Sequence, residues 1–110
     1  MSDLKLARVI QDYVDASNRH DVQAILGCFS ADAVVEDESE TLRGTKAIED
    51  WITRTIENYK FQFKPLSMKS DDDTEVVVMV EVSGTFDGSP VTLDYHFKID
   101  NEKILSLTID

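Results

Sequence analysis

Residues 31 to 44, ADAVVEDESETLRG, begin as an apolar run and place Glu36 and Asp37 where that run ends. Side chains alternate along an extended chain, so Ala33, Val35 and Asp37 share one face while Val34 and Glu36 share the other. If the alanine and the valine look into a core, the Asp37 carboxyl looks there too. Apolar surroundings strip water from a carboxylate and raise its pKa, which brings a weak base nearer to neutral pH. Glu36 to Glu40 also reads as the wetted start of an acidic loop, and the residues alone leave both readings open. Two tyrosines supply neutral hydroxyl donors at pH 7. Tyr13 lies on a helical apolar stripe with Leu6, Ile10, Val14 and Ser17. Tyr95 belongs to the alternating set Val91, Leu93, Tyr95, Phe97 and Ile99. Each tyrosine reads equally as a core aromatic whose hydroxyl reaches the rim.

Other chemistry lacks its residues. A metal site needs converging ligands. His20 follows the first helical stripe, where it can help a helix dipole, and His96 falls on the face opposite Tyr95. Neither has a second His or a Cys close in sequence, so no metal and no cofactor is expected. There is no glycine-rich phosphate loop and no serine in a strand-to-helix elbow. Cys28, the single cysteine, sits between Gly27 and Phe29 as core filler, with no cationic neighbour to activate it.

The elements that must position these groups follow from periodicity. Residues 4 to 17 read as an amphipathic helix capped by Ser2 or Asp3. Asp21 reads as the cap of a short second helix carrying Val22, Ile25, Leu26 and Phe29 inward. Ala33 to Asp37 is a strand. Thr45 begins a capping box for a third helix, in which Ile48, Trp51, Ile52, Thr55, Ile56 and Tyr59 keep the helical period. The period then changes to two. Phe61, Phe63 and Pro65 alternate as an edge strand, since proline cannot donate to a ladder. Asp71 to Asp73 turns the chain, Glu75 to Phe86 is β-rich, and Asp87-Gly88 is a hairpin signal. Ile104 to Ile109 supplies the last strand. In Glu75 to Glu81 almost no polar face remains, so both sides should touch apolar material, one of them in a homodimer partner.

The chain has 110 residues and a formal charge of -11, from 22 acidic against 11 basic side chains. That length suits a single domain over 1–110. The charge would repel phosphate backbones, which excludes nucleic acid and disfavours an anionic membrane surface. No apolar run reaches the roughly 20 residues of a transmembrane span. The start, MSDLKLARVI, lacks secretory features, and the expected location is the cytoplasm.

Several segments together resemble the SnoaL-like, nuclear transport factor 2-like family, which includes the ketosteroid isomerases. They are Asn18-Arg19-His20-Asp21, Ala24 to Phe29, Asp32 to Asp37 and Arg43 to Ile48, with a looser match at Phe97-Lys98-Ile99-Asp100. The resemblance implies an α+β fold, a cone-shaped roll whose N-terminal helices pack in a strongly curved antiparallel sheet around a pocket. It also implies roles. Asp37 matches the carboxylate that moves a proton between carbons, and Tyr13 matches the tyrosine that donates to the enolate oxygen. The third member, a protonated aspartic acid, is missing: Tyr95 stands there, and Asp94 points the other way unless a bulge intervenes. Trp51, Phe63, Phe86 and Phe97 are the candidate walls for a small apolar ligand. The implied activity is isomerase- or cyclase-like proton transfer on an apolar carbonyl compound. The alternatives are a non-catalytic binding domain of the same fold and a structural dimer module.

Overall fold

The structure of the protein is a computed structural model and describes residues 7–37, 39–70 and 74–110. The element order is α1 (Arg8–Asn18), α2 (Val22–Leu26), β1 (Phe29–Asp37), β2 (Glu40–Arg43), α3 (Gly44–Tyr59), β3 (Gln62–Ser70), β4 (Glu75–Ser83), β5 (Val91–Asp100) and β6 (Lys103–Ile109). Ser2, Asp3 and the turn expected at 71–73 lie outside the described residues.

Helix α1 buries Ile10, Tyr13, Val14 and Ser17, the three-and-four spacing of one helical face. The Asp21 carboxylate caps α2 by accepting from the Ala24 N–H at 3.1 Å. Thr45 does not cap α3: the N-cap is Arg43, with no side-chain cap bond. The chain enters α3 through Gly44 at φ 85°, a conformation that glycine adopts without steric cost. At the end of α1 the Asn18 carboxamide bridges to β3. Its oxygen accepts from Phe63 N–H at 2.7 Å and its nitrogen donates to Phe63 C=O at 3.0 Å. The helix end is thereby bonded to the strand like a neighbouring strand would be.

The six strands form one sheet in the order β2-β1-β6-β5-β4-β3. This corrects the expected strongly curved antiparallel roll. The sheet is open, with β2 and β3 at its edges, and it is mixed, because β1 runs parallel to β6. Hairpin signals fix direction only between strands adjacent in sequence. β1 and β6 are separated by most of the chain, so their relative direction depends on where α3 and the meander deliver it. Strand β2, inside the stretch that also read as an acidic loop, pairs antiparallel with β1 through Asp37↔Glu40. Pro65 lies on edge strand β3, at a register shift between Pro65 and Ser67.

The helices cover one face: α1 meets β3 and β6, and α3 meets β1 and β2. Between the layers lie Ile10, Val35, Ile48, Val78, Ile104 and Leu107, all fully buried. Cys28 is buried too, its thiol donating to Ala24 C=O at 3.5 Å. On the uncovered face of β4, Val77 is half-buried and Met79 is 40% exposed. No helix among the described residues is long and apolar enough to cross a membrane.

Candidate functional site

Register brings the sequence-predicted residues together. Asp37, the last residue of β1, lies opposite Ile109 of β6, and Ile109 lies opposite Tyr95 of β5. The three form one cross-strand row on the covered face. Asp37 and Tyr95 are two strands apart, about 10 Å at the usual strand spacing. The next row inward is Val35, Leu107 and Phe97, all buried and forming a floor. Phe97 therefore does not line the cavity. It packs edge-on against Tyr13 with ring centroids 5.6 Å apart.

Asp94 is placed by the same ladder. It pairs with Met79 on the uncovered face. The register shift in β5 falls between Lys98 and Ile99, beyond Asp94, so alternation is not reversed there. Tyr95 is the residue that turns inward.

Helix α3 supplies the carboxylate's partner. Trp51 donates its indole N–H to Asp37 Oδ2 at 3.0 Å. Asp37 is half-buried, and loss of water raises its pKa above the ordinary carboxylate value. The Trp51 hydrogen bond pulls the other way, Glu40 adds to the rise, and Arg54 opposes it. Arg54 is itself 3.5 Å from Glu40. Tyr13 and Tyr95 are only 3% and 4% exposed. Burial first, and neighbouring negative charge second, raise both phenol pKa values, so both hydroxyls stay protonated at neutral pH. A hydrogen bond with Ser17 acts against that rise at Tyr13.

These groups line one half-open cavity of about 140 Å³ with Trp51, Phe63 and Phe86. Seven of the chain's nine aromatic side chains contribute to its wall. Phe63 is the hub: its ring centroid lies 4.7 Å from Phe61, 5.5 Å from Tyr95 and 6.2 Å from Tyr13. Sequence reasoning did not single out Tyr59, Ser17 or Ile109 as wall residues. The helical period did place Tyr59 and Ser17 on inward stripes. Ile109 alternates with Leu107 in the last strand, but only its pairing with both Asp37 and Tyr95 puts it between them.

The histidines stand apart from this cavity. His20 Nε2 donates to Phe61 C=O at 2.7 Å, tying the turn after α1 to the start of β3 rather than serving the helix end. His96 Nε2 lies 3.0 Å from Asp110 Oδ2. No group of three or more His, Cys, Asp or Glu among the described residues is placed to hold a metal ion.

Helices laid on one face of a mixed sheet, with an aromatic cavity at the end of β1, define an α+β fold that encloses a site between its layers. The chain belongs to the SnoaL-like domain family, whose model matches residues 10–107. Among solved structures it is similar to a candidate polyketide cyclase from Sinorhizobium meliloti, at 37% identity and a TM-score of 0.91, covering 96% of this chain and 95% of that one. A Catenulispora acidiphila protein with a ketosteroid isomerase-like fold, solved with trimethylamine, shares 17% identity at a TM-score of 0.83 over 96% of this chain and 86% of that one. The epoxide hydrolase/cyclase-like enzyme SalBIII, of pyran ring formation in salinomycin, shares 19% at 0.82 over 92% and 85%. The last two likenesses concern the fold alone. No curated protein matches the sequence significantly.

Proposed function

We propose that the protein catalyses proton transfer on a small apolar carbonyl compound, with Asp37 as general base and Tyr13 and Tyr95 as donors to the oxygen. The supporting observation is that all three line one apolar cavity in which burial raises the Asp37 pKa. Asp37 takes a proton from the carbon beside the carbonyl. The C–H electron pair moves into the new carbon–carbon double bond, and the carbonyl pair moves onto oxygen. Hydrogen bonds from the tyrosines stabilise that oxyanion most where water is excluded. Protonated Asp37 then returns the proton to a different carbon, and the enolate collapses to a conjugated ketone. The description of the Sinorhizobium relative as a candidate cyclase fits acid–base chemistry of this class.

A β,γ-unsaturated cyclohexenone, followed by the absorbance of the conjugated product, tests the reading. Asp37→Asn is expected to slow turnover by roughly 100- to 10,000-fold, the usual range for a general base. Tyr13→Phe and Tyr95→Phe are each expected to cost about 10- to 1,000-fold. Unchanged turnover in Asp37→Asn overturns the assignment.

One observation favours a second reading, a binding domain without turnover. The protonated aspartic acid of the ketosteroid isomerases, their third catalytic member, is replaced by Tyr95, and Asp94 faces away. Saturable binding of the ketone with no product would select that reading. The covered cavity leaves the other sheet face free for self-association as a homodimer. There Met79 is exposed, and Lys64 pairs across the ladder with Glu81; Leu66, exposed at the register shift of edge strand β3, lies nearby in the sequence.

A further inference from the structure

We propose that the cavity admits one six-membered ring and no fused second ring, so that its ligand is a monocyclic compound that carries no negative charge. The ring count stands on the cavity itself; the carbonyl group rests on the reading above.

The volume is the first argument. The cavity measures about 140 Å³. An apolar cavity of roughly 150 Å³ takes up benzene, whereas pockets for larger ligands run to roughly 300–1,000 Å³. The causes of the small volume are visible in the packing. Below, the row Val35, Leu107 and Phe97 is filled. On the β3 side, Phe61 and Phe63 stack on each other at 4.7 Å with planes 12° apart, so each ring holds the other in place as a wall.

A further stretch of wall, at the end of α3, is bolted in place. Phe86, on the loop after β4, meets Tyr59 edge-on at 5.7 Å. That loop is held by Thr85 N–H donating to Tyr59 C=O at 2.8 Å and by Gly84 N–H donating to Ser89 Oγ at 2.9 Å. A Cβ at Gly84 would sit 2.3 Å from the Tyr59 carbonyl oxygen. The loop therefore approaches the end of α3 as closely as a backbone can. Moving Phe86 outward to admit a larger ligand would break these bonds.

Charge narrows the class further. Asp37 is the one acidic side chain of the lining, and no Lys, Arg or His accompanies it. An anionic ligand would meet a carboxylate with no cation to offset it, which excludes carboxylic acids and phosphate esters.

Trp51 is the chain's single tryptophan and lies in the wall, so its fluorescence reports occupancy of this cavity. Cyclohexanone and decalone, and in parallel cyclohexanol and decalol, are titrated into the full chain, with calorimetry as a second readout. The one-ring compounds are expected to saturate. The two-ring compounds are expected to bind no tighter, although their larger apolar area would favour them in an open pocket. In Phe86→Ala the two-ring compounds are expected to gain about tenfold, equivalent to about 1.4 kcal/mol. Phe63→Ala should act likewise, but it removes the hub of the aromatic cluster; half-buried Phe86 makes the milder variant, and a melting curve checks both. Two-ring compounds binding wild type about tenfold tighter than one-ring compounds overturn the ring limit and leave the carbonyl reading intact. Saturation by cyclohexanol without turnover of any ketone sustains the ring limit and removes the carbonyl reading. Failure of every one-ring compound to bind overturns the proposal.

Discussion

At the scale of single residues, the Trp51 N–H and the loss of water act on Asp37 in opposite directions. Deleting the hydrogen bond in Trp51→Phe removes the larger of the two influences that oppose burial, so the Asp37 pKa should climb further. A base works deprotonated; activity therefore falls as pH drops through that pKa. The acid limb of the kcat/KM profile in Trp51→Phe is expected to move to higher pH. An unmoved limb would show that another group sets it. The same raised pKa has a consequence for folding. The folded protein holds this proton more tightly than the unfolded chain does. The group's contribution to stability is therefore greatest at low pH, and it declines as pH rises from the ordinary carboxylate value through the raised one. Asp37→Asn keeps an oxygen to accept from Trp51 and removes the charge. At neutral pH it should stabilise the fold by about 0.5 kcal/mol, a figure kept small because the carboxylate remains partly solvated. A rise in the melting temperature of Asp37→Asn is the check.

At the scale of elements, the candidate site depends on two junctions remote from the carboxylate. Asn18 joins α1 to β3 beside Phe63, and Gly84 lets the loop after β4 close on the end of α3. Gly84→Ala forces a methyl into the Tyr59 carbonyl, which is backbone and cannot yield as a flexible side chain would. A loss of about 2 kcal/mol or more is expected, in the range of other steric and backbone lesions. The melting temperature should fall by roughly 10 °C, and the Trp51 emission should shift as the wall carrying Phe86 moves. A melt within a degree of wild type would mean that the loop relaxes freely. Much at this scale was legible beforehand. The three-and-four spacing of Ile10, Tyr13, Val14 and Ser17 gave α1 its buried face, and the alternation of Ala33, Val35 and Asp37 gave β1 its inward one. Strand β2 was not legible as such: Glu40 to Arg43 carries two charged ends, and only pairing with β1 makes it a strand. Thr45 had the residue pattern of a cap, yet Gly44 starts the helix one residue earlier.

At the scale of the whole molecule, the uncovered face of the sheet combines exposed Met79 and half-buried Val77 with charges of both signs. A two-fold pairing of that face with itself would bury the apolar residues and oppose lysines to acidic groups. Light scattering is expected to give twice the monomer mass. Met79→Lys, which places a charge at the centre of such a contact, is expected to return the monomer with turnover largely retained. A monomeric wild type at micromolar concentration would remove the homodimer. The formal charge of -11 works against self-association at low salt, so the dimer should strengthen as salt is added.

Local periodicity determined by itself most of the helices and strands and which of their faces turn inward, because spacing along the chain fixes side-chain direction within one element. That is enough to point Asp37, Tyr13 and Tyr95 at a common interior. The parallel pairing of β1 with β6 was decided only in the folded molecule, since it joins residues some seventy positions apart with no turn between them to carry a signal. The same holds for the size of the cavity. It is the space left over after Phe61, Phe63 and Phe86 have packed against one another, and packing is a property of three dimensions.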